Sequence, residues 1–155
     1  SGSSVDMAFG DAPTRDHLES ALLLRESMAV VIPEGHRLSS HSEVSLLDLQ
    51  DEPIILHARH EYPAYYDRVM QAFQQAHIPP TIYHREKGQN CMALAISGVG
   101  LLLTPSRSGW EVGLHTVPLS LETPLNAEIW GSWRSTSTDT PEKRSLIRLV
   151  REAAI

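Results

Sequence analysis

The run from Arg85 to Ser106, REKGQNCMALAISGVGLLLTPS, constrains the fold more than any other part of the chain. A strand end and a tight turn at Gly88 precede an apolar helix from about Asn90 to Ser97, a Gly98-Val99-Gly100 turn and a short strand ending at Pro105. Met92, Ala93, Leu94, Ala95 and Ile96 leave this helix almost no polar face, so it is expected to be covered on most sides. Consecutive Leu101, Leu102 and Leu103 suit a strand buried on both faces, as parallel strands are. Gln89 and Asn90 fall at the helix N-terminus, where unpaired amides and the positive end of the helix dipole favour an anionic ligand. The glycines are no dinucleotide fingerprint, because they follow a helix and open a strand rather than the reverse. They read as a helix cap with Gly98 or Gly100 at positive φ.

The rest of the chain alternates strands and helices around that run. Val5 to Phe9 is a strand closed by the Gly10 to Pro13 turn, and Leu22 to Leu24 and Met28 to Ile32 are two more. The polar Arg25-Glu26-Ser27 between them has no turn dipeptide, which places an extended crossing and a hinge there. The loop from Pro33 continues through His41 and Glu43, and Ser45 with Asp48 has capping-box spacing for a short helical turn ending near Gln50. Pro53 to His57 is a strand, and Tyr62, Tyr65, Tyr66, Val69, Met70, Phe73 and Ala76 form the stripe of an amphipathic helix that Pro79-Pro80 stops. Strands follow at Thr81 to His84, Leu114 to Leu119 (after a turn reaching Trp110) and Ala127 to Arg134, with a second crossing at Thr123 to Asn126. After a loop at Ser135 to Thr138, Thr140 caps a final helix with Pro141 first and Leu146, Ile147, Leu149, Val150 and Ala153 as its buried side. The class is α/β with largely parallel sheets.

Composition narrows the function. A chain of 155 residues buries one good core, or two small lobes that share strands. Thirteen Lys and Arg against nineteen Asp and Glu give −6, with no basic cluster, so this chain alone is a poor DNA binder. No apolar run approaches a membrane span. The single cysteine, Cys91, cannot form an internal disulfide and favours a reducing compartment. Ser1 to Ser4 read as an expression remnant running straight into a strand, so the natural N-terminus is expected to be missing.

Chemistry-bearing residues are few. His57 and His60 could offer two imidazoles to a metal, but eight scattered histidines make one close pair unsurprising, and no metal or other cofactor is assigned. There is no G-x-S-x-G, and Cys91 sits where a thiolate is disfavoured. Asp48, Asp51 and Glu52 read as a solvated cap and turn, so nothing argues for catalysis. Two strand-to-helix junctions remain, Ala58 to Tyr62 and Gly88 to Asn90. Ligands of doubly wound folds sit beyond the carboxyl ends of strands. Arg59 and His60 supply donors for a carboxylate and Tyr62 an aromatic wall, the alternative being that Arg59 is a solvated loop cation.

Three stretches carry a family likeness: Glu26 to Pro33 with Gly35, His36 and Leu38; Val44-Ser45-Leu46 with Asp48-Leu49; and Ser97 to Gly100 running into Leu103 and Pro105. Together they resemble the effector-binding domain of LysR-type transcriptional regulators, in order and spacing from Val5 to Ala154. The resemblance implies a two-lobed type II periplasmic-binding-protein-like α/β fold with a small effector between the lobes. By that likeness residues 27–121 are the complete second lobe, and residues 1–26 and 122–155 are parts of the first. It also implies that the winged helix-turn-helix, the linker helix and about two strand-helix units of the first lobe are absent, leaving a pocket that a partner would complete. In the family the loop matching Arg59 to Tyr62 faces the cleft, as does the region matching Gln89 and Asn90. The expected effector site is therefore Ala58, Arg59, His60, Tyr62, Gln89 and Asn90, for a small aromatic or aliphatic acid. The likeness further implies a cytoplasmic, non-membrane homo-oligomer that meets DNA only through its N-terminal domain. A periplasmic solute-binding protein of the same fold is the alternative, and a signal peptide or a helix-turn-helix upstream separates the two.

Overall fold

The computed structural model describes residues 7–13, 18–106, 114–120, 122–123, 125–134 and 141–153. The chain divides into two compact units, Ser1–Glu26 with Ala127–Ile155, and Ser27–Asn126.

In the first unit β1 (Met7–Gly10) pairs antiparallel with β7 (Asn126–Arg134), Met7 opposite Trp133 and Gly10 opposite Trp130. Beside β7 runs β2 (Leu18–Pro33). Side chains there join through polar groups: Ser20 Oγ meets Ser132 Oγ at 2.8 Å, and Trp133 Nε1 donates to Glu19 Oε2 at 2.8 Å. Helix α3 (Pro141–Ala153) closes the unit, with Pro141 first because its fixed φ suits that position and its missing N–H costs nothing there. The expected buried side of α3 is not buried, since Leu146 and Leu149 are both exposed. Side chains of Val150 and Ala153 lie outside the described residues, as do Val5, Asp6, Thr140, the turn toward Trp110 and the Ser135 to Thr138 loop.

The second unit holds the core. Among the described residues every buried apolar side chain except Trp133 belongs to it, from Met28 through Phe73 to Leu125. The two strands expected on either side of Arg25-Glu26-Ser27 are one 16-residue strand, β2, because three polar residues without a turn former leave the chain extended. The wholly buried Met28 to Ile32 segment of β2 is flanked on both edges by antiparallel partners, β5 (Leu102–Pro105) and β6 (Leu114–Pro118). The expectation of largely parallel sheets is thus corrected. An apolar run reports burial on both faces, and strands enclosed between layers achieve that in either direction.

Apart from a single parallel bridge between Val44 and Leu119, the observed parallel pairing lies in the stretch that matters most. Strand β3 (Pro53–Leu56) runs parallel to β4 (Thr81–His84), and Leu101 extends the pairing, its N–H donating to Pro53 O at 2.8 Å while its carbonyl accepts from Ile55 N at 2.9 Å. Between β3 and β4 lies α1 (Pro63–Gln75), which buries Val69, Ala72 and Phe73. Its end comes before Pro79-Pro80: Ala76 caps it and His77 turns left-handed at φ 57°, with Ile78 N–H returning to Phe73 O at 3.1 Å. Between β4 and β5 lies α2 (Cys91–Ile96), which is less covered than its composition implied. Ala95 alone is fully buried and Ile96 is exposed, because six residues present too few turns for every face to find a neighbour. Gly98, at φ 81°, ends α2 as expected. Gly100 is needed for a different reason, since a Cβ there would stand 2.6 Å from Pro53 O and only glycine lets the α2 exit touch β3. Upstream, Ser45 and Asp48 form the expected reciprocal cap, Asp48 N–H donating to Ser45 Oγ at 3.3 Å and Ser45 N–H to Asp48 Oδ2 at 2.9 Å. That backbone donor holds the Asp48 carboxyl below its usual range.

Candidate functional site

Leu56 pairs with His84 in the β3 and β4 register, so the two parallel strands end level with each other. The loop that enters α1 and the loop that enters α2 therefore leave from adjacent points. Parallel strands always carry their chains away at the carboxyl end, and ligands collect there because helix N-termini return to the same edge.

Arg85 holds the two loops together. Its backbone N–H donates to Leu56 O at 2.8 Å, which continues the β3 and β4 ladder by one residue. Its side chain, 16% exposed, donates from Nε to His57 Nδ1 at 3.0 Å, from Nη1 to Gln89 O at 2.7 Å and from Nη2 to Glu61 Oε1 at 3.4 Å. Since His57 Nδ1 accepts from a guanidinium, the ring proton belongs on Nε2, which faces Cys91 Sγ at 3.6 Å. The same ring meets Tyr62 edge-on, with centroids 4.9 Å apart. Burial pushes the Cys91 thiol up, against a smaller opposing pull from Arg85, so the sulfur stays protonated and is a poor nucleophile.

The expected site residues fall on both loops. Ala58 is half-buried and its carbonyl accepts from Glu61 N–H at 3.0 Å, which tightens the first loop. Arg59 is exposed and committed to Asp67 of α1, with Nε and Nη2 each 2.8 Å from a carboxylate oxygen. That fork raises the guanidinium and lowers the carboxyl through the mutual hydrogen bonds. His60 is exposed, and Tyr62 is the exposed N-cap residue of α1, whose side chain caps nothing and whose successor Pro63 has no N–H. On the second loop Gln89 bonds its neighbours, accepting from Glu86 N at 2.9 Å and donating Nε2 to Tyr83 OH at 3.1 Å. Asn90 Oδ1 accepts from Ala93 N at 3.1 Å and so caps α2. Arg85, His57 and Glu61 join these loops, yet sequence reasoning passed over Arg85 and Glu61 and weighed His57 only as a metal ligand. The available signal was positional: His57 and Arg85 each stand one residue past a parallel strand, at matching register. Among the described residues no three His, Cys, Asp or Glu side chains converge on a metal-sized site. An open groove of about 490 Å³ lies at the other end of α1, between Met70, Gln74, His77, Ile78, Pro79 and Pro80.

The family model described as the LysR substrate binding domain matches residues 2–155. The chain belongs to that family. Relatives include the Escherichia coli K12 protein named as the uncharacterized HTH-type transcriptional regulator YnfL, 27% identical over 84% of this chain and 44% of that protein. The Bacillus subtilis HTH-type transcriptional regulator AlsR is 31% identical over 58% of this chain and 30% of its own length. The chain thus spans less than half of the curated regulators it matches. Among solved structures, the BenM effector-binding domain with benzoate superposes with a TM-score of 0.79 at 27% identity, covering 96% of this chain and 68% of that one. The structure of CbnR, a LysR-family transcriptional regulator, reaches 0.83 at 19% identity, covering 97% of this chain and 53% of that one, which bears on the fold. The LysR domain has the type II periplasmic-binding-protein-like α/β fold expected from the sequence. Among the described residues no helix is long and apolar enough to cross a membrane.

Proposed function

We propose that this chain is the ligand-sensing part of a LysR-type bacterial transcription regulator. It binds a small carboxylate effector at the two junctions of the second unit and signals to a winged helix-turn-helix elsewhere in the full-length protein. Ala58, Arg59, His60 and Tyr62 supply one side of the site and Gln89 and Asn90 the other. Residues 27–121 act as the second lobe, and residues 1–26 and 122–155 contribute to the first. The observation that carries the reading is the shared edge where β3 and β4 end together, with Arg85 tying both loops to one point. At that edge α1 offers first-turn amides that no Tyr62 side chain covers, beside an aromatic ring, which is the chemistry a compact acid needs.

Relatives that are HTH-type regulators favour this reading over a periplasmic solute-binding protein of the same fold. BenM's effector domain is described with benzoate and that of QuiR with shikimate, so small acids are the ligand class to try first. The domain works by binding, without catalysis or a cofactor, in a cytoplasmic homo-oligomer whose DNA contacts come from its other domain. An effector that prefers one arrangement of the protein shifts the population toward it, and no chemistry is required of the site.

The test is a thermal-shift and calorimetric screen of benzoate, shikimate and related small carboxylates. A ligand at a hundred times its Kd stabilises the folded state by about 2.7 kcal/mol, which such a screen reads easily. At least one acid is expected to raise Tm saturably, and Arg59→Ala to weaken its binding by roughly tenfold. An unchanged response in Arg59→Ala removes that residue from the site, and no response to any acid removes the reading.

A further inference from the structure

We propose that Arg85 receives the anionic group of the effector, and that Glu61 occupies that place until the effector arrives. The inference rests on the sensor reading above and adds the group that fixes ligand class.

Burial sets the first condition. The Arg85 side chain is 16% exposed, and a guanidinium withdrawn that far from water needs counter-charge to offset its lost hydration. Its two short bonds meet neutral acceptors, His57 Nδ1 at 3.0 Å and Gln89 O at 2.7 Å. These fix the plane of the fork and leave Nη2 for a third partner. Glu61 Oε1 is that partner at 3.4 Å, well beyond the roughly 2.7–2.9 Å of a full charge-assisted bond.

Glu61 is built to leave. Its side chain is 35% exposed, and Oε2 lies 3.4 Å from His57 Nδ1, a ring nitrogen that already accepts from Arg85 Nε and has no proton to offer, so neither oxygen is well seated. The backbone bond from Glu61 N–H to Ala58 O keeps the loop in place while the side chain rotates into water. An incoming carboxylate oxygen then meets Nη2 at full hydrogen-bonding distance, with the Tyr62 ring, edge-on to His57, along its apolar flank. A neutral amide of the same shape brings no charge to compete with Glu61. The site is thereby selective for compact acids over their uncharged analogues. Because Glu61 lies two residues before Pro63, the exchange reports occupancy at the start of α1.

The test compares the 155-residue chain with Glu61→Gln, titrating benzoate, shikimate and the neutral analogue benzamide while following the Arg85 Nε–H resonance and Tm. Removing the internal competitor is expected to tighten carboxylate binding by roughly tenfold, leave benzamide unimproved, and move the Arg85 resonance on titration. Arg85→Lys keeps a charge but loses the fork, and is expected to bind the same acids several-fold more weakly. A carboxylate that raises Tm without moving the Arg85 resonance, or binds Glu61→Gln no more tightly, overturns this inference while the sensor reading stands. A Glu61→Gln gain that extends equally to benzamide also overturns it, since a general loosening of the loop would do that. Failure of every acid to stabilise either protein overturns both.

Discussion

The second unit contains the same strand-loop-helix passage twice, and the two copies differ at both ends of their helices. The first enters α1 through Tyr62 and Pro63 with no side-chain cap, and leaves it through a left-handed His77. The second enters α2 through the Asn90 cap and leaves it through a left-handed Gly98. Length explains the contrast. A six-residue helix is too short to persist on its own hydrogen bonds, so both its ends are fastened by the residue types best suited to them. The 13-residue α1 is held instead by burying Val69, Ala72 and Phe73, and it tolerates an open entrance and a strained exit. Stability from the buried face is what leaves the α1 entrance available to a ligand.

If the second passage is secured at its ends, the contact that locks its exit onto β3 is its most sensitive point. Gly100→Ala would place Cβ 2.6 Å from Pro53 O and 3.0 Å from Ile55 Cγ1, against backbone that is itself hydrogen-bonded to Leu101. Overpacking of this kind costs about 3 kcal/mol, and denaturant unfolding should show the midpoint falling at constant slope. A loss below about 1 kcal/mol would mean that β3 and the α2 exit separate easily, and the contrast between the passages would lose its structural basis.

How much of this was legible follows from what kind of signal each feature leaves. The Ser45 and Asp48 cap, the Asn90 and Gly98 ends of α2 and the strands flanking them follow from short-range rules, and the structure bears them out. The α1 stripe holds in its middle only, with Val69 and Phe73 buried but Tyr62 and Ala76 at its ends exposed. Strand direction did not follow from such rules, because the apolar run Leu101 to Leu103 signals burial and carries no direction; Leu101 is buried, while Leu102 and Leu103 are half-buried. In fact Leu101 pairs parallel with Ile54 while Leu102 and Leu103 pair antiparallel with β2. The exposure of Leu146 and Leu149 was equally hidden, since an apolar stripe announces a need for cover and not its fulfilment. At the candidate site the two loops could be picked out from the strand-to-helix pattern, but their linkage through Arg85 needs the β3 and β4 register. Arg59 reads in sequence either as a donor to a carboxylate ligand or as a solvated loop cation, and its commitment to Asp67 becomes visible only once α1 turns that carboxylate back toward the loop.

The entrances provide the next test. Asn90→Ala removes the acceptor for Ala93 N–H and should cost about 1 kcal/mol, enough in a six-residue helix to loosen Cys91 and its contact with His57. Amide exchange at Met92 and Ala93 should accelerate, while exchange along α1 stays as it was. Equal acceleration in both helices would show that the passages open as one unit and that the cap is not what distinguishes them.

The smallest effects concern the exits, where the two helices can be made to trade residues. His77 sits at φ 57°, a conformation that costs a non-glycine residue about 1–2 kcal/mol, while Ile78 N–H still completes the bond to Phe73 O. His77→Gly removes that strain but adds backbone freedom to the unfolded chain, so the net gain should be about 0.5 kcal/mol. Gly98→Ala runs the other way: nothing stands within 4 Å of its would-be Cβ, so the loss reflects conformation alone and should be about 1 kcal/mol. The opposite signs, read as shifts in denaturant midpoint, are the point of the pair. A destabilised His77→Gly would mean that the imidazole contributes more by packing beside Ile78 and Pro79 than its backbone costs. The α1 exit would then be as deliberately fastened as that of α2, and only the entrances would still separate the two passages.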